Sequence, residues 1–131
     1  MIGLDTNVVV RYLTQDDPAQ SRKATELIER DLTEDDPGYI NVVVMAEVAW
    51  VLERVYRLTD AGLAAAIERL LQLDAIAVEN EQDVFAAMIA LKSGRGSFAD
   101  ALIAALNARA GCSRTVTFDG KAPRLPGFAP L

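Results

Sequence analysis

Four acidic residues stand where a fold could bring them to bear on one substrate: Asp5, Glu47, Asp100 and Asp119. Asp5 follows the apolar run Ile2-Gly3-Leu4 and precedes two small polar residues, Thr6 and Asn7. Such a run reads as a central parallel strand, and ligands of open α/β sheets bind beyond the carboxyl ends of their strands. Asp119 repeats the arrangement behind Thr115-Val116-Thr117-Phe118. Glu47 falls between Val44 and Val51 at helical spacing, so it shares an apolar stripe expected to face the core. There an ionised glutamate costs several kcal/mol unless it is paired or bound to a metal. Asp100 closes the capping-box pattern Ser97-Phe98-Ala99-Asp100 at the head of an apolar helix. Each position also has a plainer reading. Asp5, Thr6 or Asn7 can cap a helix, Glu47 can sit at the edge of its stripe or pair with an arginine, and a capping box needs no active site.

The chemistry open to such a set is narrowed by the absence of histidine. This removes the usual general base, Ser-His and Cys-His nucleophile pairs, and histidine-bound zinc. Carboxylates gathered at one crevice would repel each other, by about 3 kcal/mol per pair at ~5 Å and an effective dielectric of ~20. A divalent cation removes that conflict. Oxygen ligands without imidazole or thiolate suit Mg²⁺ or Mn²⁺, and magnesium often binds few carboxylates together with water and substrate phosphate. Thr6, Asn7, Ser97 and Thr117 are candidates for orienting the carboxylates or the cation's waters.

Composition sets further bounds. A chain of 131 residues fits one domain and can bury roughly two thirds of its unfolded surface. Apolar residues make up 51% of it, yet no run approaches the roughly 18 needed to suggest a membrane helix. No secretory signal is read ahead of the first strand, and the single cysteine, Cys112, excludes an internal disulfide and a cysteine-rich zinc site. The expectation is a reducing cytoplasm, with Cys112 packed as a small hydrophobe. A net charge of −6 argues against a nucleic-acid partner unless an acidic metal site reverses the local sign.

The elements that must position these residues alternate β and α. Val8 to Leu13 suggest a short helix, although the valine run could prolong the first strand. Asp17-Pro18 caps a second helix that ends near Arg30, and the acidic segment from Asp31 to Gly38 reads as a solvated loop. Tyr39-Ile40 is a strand leading to Asn41, the expected cap of a long helix reaching about Leu58, with Val44, Val48, Val51, Leu52 and Val55 inward. Thr59 or Asp60 caps the next helix, and Ala75 to Val78 reads as a buried strand. Asn80 opens a helix with Val84, Phe85, Met88 and Leu91 inward. The loop from Lys92 to Gly96 carries two positive charges but not the order of a Walker loop. A largely buried helix from Phe98 to Ala110 ends at Gly111, and Phe128-Ala129 can add an edge strand. The alternation implies a parallel sheet with helices on both faces and places Asp5 and Asp119 on the same edge.

Taken together, Leu4-Asp5-Thr6-Asn7, Val44-Met45-Ala46-Glu47, Phe98 to Ile103 and Thr117-Phe118-Asp119 resemble the PIN-domain ribonucleases. Length and the span of the likeness are most similar to the VapC toxins of prokaryotic toxin-antitoxin pairs. The resemblance implies a PIN-like three-layer α/β/α fold with a central, mainly parallel sheet in one domain over residues 1–131. It also implies a homodimer, an antitoxin whose tail covers the active site, no membrane association, and RNA cleavage dependent on Mg²⁺ or Mn²⁺. By the family's motif, Asp5, Glu47, Asp100 and Asp119 correspond to its acidic site, and Thr6 and Asn7 to its supporting polar residues. After Asp119 the chain reads Gly120-Lys121, where many relatives place another acidic residue nearby.

On this reading a cation held mainly by Asp5, Asp100 and Asp119 activates water for in-line attack at phosphorus, and Glu47 completes the site or orients the water. A second cation, recruited with substrate, would stabilise the leaving 3′ oxygen, giving 5′-phosphate and 3′-hydroxyl products. Arg11, Lys92 and Arg95 are candidate phosphate contacts. One competitor is a phosphotransfer protein with Asp5 as nucleophile. A haloacid-dehalogenase-like phosphatase, however, wants a second aspartate where Asn7 stands, and a receiver domain wants one on a middle strand, whereas Ala75 to Val78 carries none. The other is an inactive PIN-like module that binds RNA or protein.

Overall fold

In the computed structural model, which describes residues 1–131, strand β1 (Ile2–Gly3) leads through buried Leu4 into helix α1 (Thr6–Thr14). Asp5 caps that helix: its carboxylate accepts the Thr6 backbone N–H at 2.8 Å. The helix ends at Gln15, whose left-handed backbone (φ 57°) is supported by its own amide, which donates to the Tyr12 carbonyl at 2.7 Å. Asp17 and Pro18 then start α2 (Pro18–Glu26), which widens into a π-type turn over Leu27–Asp31. The acidic residues of the segment that follows are exposed, as their charge requires, while Leu32 is buried and Pro37 half-buried.

Strand β2 (Gly38–Ile40) feeds α3 (Val42–Arg54), whose first amides are satisfied twice over. Asn41 accepts from the Val44 N–H at 2.8 Å, and Glu79 reaches across to accept from Val42 at 2.9 Å. Thr59 caps α4 (Asp60–Gln72), and β3 (Ile76–Val78) and α5 (Glu81–Lys92) follow. Ser97 caps α6 (Phe98–Arg109) by accepting from the Asp100 N–H at 3.1 Å. The chain closes with β4 (Thr115–Thr117), a 3-10 turn over Ala122–Arg124, and β5 (Phe128–Pro130). The fold class is α/β, six helices on parallel strands.

All strand pairs are parallel, but the sheet is in two hydrogen-bonded pieces, β1-β2-β3 and β4-β5. β1 is therefore the edge of its sheet rather than the expected centre, and Ile2 is 47% exposed. One continuous core joins α1, α3, α4, α5 and α6 beneath the strands. At its margin the buried Tyr12 ring lies under the Arg69 guanidinium, 4.8 Å from ring centre, and its hydroxyl donates to Glu29 at 3.0 Å. Burial, then that carboxylate, pushes the Tyr12 phenol above its ordinary value.

Several side chains lie elsewhere than the sequence pattern predicts, for a common reason. On α3 the buried residues are Met45, Val48, Ala49 and Leu52, one face at i, i+3, i+4, i+7 spacing. Val44 and Val51 flank that face half-buried, Glu47 between them is exposed, and Val55 beyond the helix end is 63% exposed. The helix stops at Arg54 instead of near Leu58 because the chain turns through Arg57, whose φ is 56°. On α5 the face is Val84, Ala87, Met88 and Leu91, which turns Phe85 outward. α6 buries Phe98, Ala101, Leu102 and Ala104 but leaves Ile103 46% exposed. Cys112, in the turn after α6, is exposed and not packed.

Candidate active site

The carboxyl ends of β1 and β2 release α1 and α3 side by side, and the two helices pack on each other. Asp5 and Thr6 stand at the start of α1, and Glu47 projects from the second turn of α3. Buried Thr6 donates its hydroxyl to the Glu47 carboxylate in a short hydrogen bond. That contact joins residues 41 positions apart and resolves the glutamate's ambiguity. Glu47 lies at the edge of its apolar stripe, where its carboxylate meets solvent instead of the core.

Asp5, Thr6, Asn7 and Glu47 form the polar floor of a crevice of about 390 Å³. Val10, Val51 and Val55 wall it, and Arg11 and Tyr56 stand at its rim. One Asp5 oxygen is occupied by the Thr6 amide, and Asn7 is exposed at the mouth. The crevice thus holds two carboxylates and one cation.

Neither Asp100 nor Asp119 lines this crevice. Asp100 is half-buried in the first turn of α6, and Ser97 binds its backbone amide. Asp119 is exposed beyond β4, where its carboxylate accepts the Lys121 N–H at 2.8 Å in a tight turn. Thr117 is tied into the same turn, its hydroxyl accepting the Asp119 N–H at 3.0 Å. No three acidic side chains come close enough together to form a ready-made metal cage. The Asp5–Glu47 pair still fits a hard cation by its chemistry: all oxygen donors, few in number, with open volume for water and phosphate.

The structure adds residues at the rim that the sequence did not single out. Tyr56 and Asp16 meet there, the phenol donating to the carboxylate. Thr14 also donates to Asp16, at 2.8 Å. The Tyr56 hydrogen bond first, then that of Thr14, holds the Asp16 carboxyl below its ordinary value. No periodicity announces this cluster, because Asp16 lies in the α1–α2 turn and Tyr56 in the turn after α3.

Comparison with known families finds a match to the PIN domain over residues 2–127. No curated protein matches the chain.

Proposed function

Since the chain belongs to the PIN-domain family, whose members are generally nucleases that typically use divalent metals, we propose that it is an endoribonuclease dependent on Mg²⁺ or Mn²⁺. The observation that carries the proposal is the Thr6–Glu47 hydrogen bond, which holds a second carboxylate in the crevice that Asp5 opens. Asp5 and Glu47 would hold the cation; Asp100 and Asp119, which the family motif adds, stand outside the crevice. When bound, such a cation supplies Lewis-acid stabilisation of a phosphoryl oxygen and lowers the pKa of water.

The chain's own residues do the rest. Thr6 fixes the Glu47 carboxylate by donating to one oxygen and leaves the other free. The Thr6 amide fixes Asp5 in the same way. Asn7 offers an amide at the mouth for hydrogen bonding to a phosphate oxygen. Water attacks phosphorus, the bond to the 3′ oxygen breaks, and the products carry 5′-phosphate and 3′-hydroxyl ends. The resemblance to VapC toxins supports a toxin role in the cytoplasm, with a cognate antitoxin and a second copy of the chain as partners. No helix is long and apolar enough to cross a membrane.

A second reading, an inactive PIN-like module that binds RNA or protein, draws on the separation of Asp100 and Asp119 from the crevice. Incubating the purified, antitoxin-free protein with end-labelled cellular RNAs and Mg²⁺, Mn²⁺ or EDTA separates the two. Cutting that needs a cation supports the nuclease, and ends bearing 2′,3′-cyclic phosphate would overturn its mechanism. An inert module would cut nothing, and its Mn²⁺ affinity by calorimetry would not change in Asp5→Asn.

A further inference from the structure

Arg11 is the only cation lining the Asp5–Glu47 crevice, and it also lines a second cavity, of about 290 Å³, between α1 and α2. Asn7, one helical turn earlier, borders both as well, so the two cavities meet across this face of α1. The second cavity is walled by Val8, Ala24 and Leu27 and carries one further cation, Lys23. A polyanion leaving the acidic crevice in this direction therefore meets positive charge first at Arg11 and then at Lys23.

The Arg11 head is fixed before any ligand arrives. Its Nε donates to the Gln20 side-chain oxygen Oε1 at 2.8 Å. Nη1 donates to Tyr56 Oη at 3.1 Å and to Asp16 at 3.2 Å. Tyr56 in turn donates to the same Asp16 carboxylate, so the phenol accepts on one side and gives on the other. Three partners, from α2, from the α1–α2 turn and from the turn after α3, thus hold the guanidinium through Nε and Nη1. Nη2 has no protein acceptor, and the side chain is 29% exposed. A planar guanidinium fixed through Nε and Nη1 with Nη2 open can donate to a phosphate oxygen, and its pre-set geometry lowers the entropy lost on binding.

We propose that Arg11 is the docking group for a backbone phosphate of the RNA nucleotide next to the cleaved bond, with Tyr56, Asp16 and Gln20 as the positioning residues that hold it. The assignment rests on the ribonuclease reading above and extends it to the substrate's path, out of the crevice and across α1 toward Lys23. It gives a chain of net charge −6 a fixed cationic donor beside a crevice that itself holds two carboxylates.

The test is cleavage of an end-labelled single-stranded RNA at fixed Mg²⁺ over a series of KCl concentrations, with kcat and KM resolved. Arg11→Met removes the charge and keeps the stem. It is expected to raise KM severalfold, leave kcat within about twofold, and make the dependence of log kcat/KM on log salt shallower by about 0.7, the value for one lost contact on a single strand. Arg11→Lys keeps the charge but not the braced planar donor, so the salt slope should stay while KM rises; it also serves if Arg11→Met fails to melt cooperatively. Tyr56→Phe should behave as Arg11→Lys does. A salt slope unchanged in Arg11→Met, beside a wild type that cleaves, would overturn the docking assignment alone and leave the guanidinium to a protein carboxylate. A wild type that cleaves no RNA would overturn the ribonuclease reading and this assignment with it.

Discussion

Thr6 is the residue on which the site's geometry turns, because its hydroxyl couples the start of α1 to the second turn of α3. Thr6→Val keeps the shape and removes the donor. Glu47 can regain a partner from water, so the expected loss is about 1 kcal/mol in urea unfolding, with a larger relative loss in cleavage because the carboxylate is no longer aimed. An unchanged rate at normal stability would mean that Glu47 needs no such aim. Asp16 makes a pH prediction. Its carboxyl is held below the ordinary aspartate value by Tyr56 first and Thr14 second, so its contribution to stability is complete above that ordinary value. The contribution fades as pH falls through the lower folded value. A carboxyl NMR titration should place the Asp16 midpoint below that of a model peptide, and Tyr56→Phe should raise it. Asp5, Thr6 and Asn7 were legible from residue type and position, whereas Glu47 was expected on a buried stripe and is exposed, and Asp100 and Asp119, expected at the same crevice, do not line it. Asp16 and Tyr56 were not legible, since two turns bring them together and turns leave no periodic trace.

The helices owe their starts to side chains, and this is the part of the fold most directly written in the sequence. Asp5, Asp17, Asn41, Thr59 and Ser97 each accept a helical amide, at the positions where polar residues of capping type precede apolar periodicity. α3 is the informative case because Glu79, arriving from beyond β3, shares its capping with Asn41. Asn41→Ala should cost about 1 kcal/mol in urea unfolding. Combining it with Glu79→Ala should cost more than the sum, because the two acceptors serve the same helix end and each limits the fraying the other leaves. Strict additivity would argue that they act independently. Less legible was which way each helix faces. Val44, Glu47 and Val51 share a stripe by spacing, but the packed face on α3 is centred one position on, at Met45 and Val48. Phe85 is misjudged in the same way on α5. Hydrophobic spacing gives a helix's period, whereas its rotation is set by the neighbours it packs against.

At the scale of the molecule, the parallel strands put the first turns of α1 and α3 at one edge, and the core behind them keeps them there. Ile67 on α4 is fully buried in that core, remote in the chain from every candidate site residue. Ile67→Ala should cost about 2–5 kcal/mol of stability yet leave the metal requirement of cleavage unchanged below the melting transition. A changed metal requirement would show that the core reaches the site. The α/β class and the order of elements followed from the alternation of strands and amphipathic runs, but the division of the sheet did not, because strand pairing between β1 and β4 depends on contacts distant in sequence. The most direct test of the proposed centre is the rate at which Asp5→Asn and Glu47→Gln, each shown to melt as the wild type does, cleave a single end-labelled RNA in Mg²⁺. Both should fall by about a hundredfold or more, the scale of losing one preorganised charge-stabilising group, with the wild type leaving 5′-phosphate ends. Cleavage at the wild-type rate by either variant would remove the Asp5–Glu47 crevice from the chemistry.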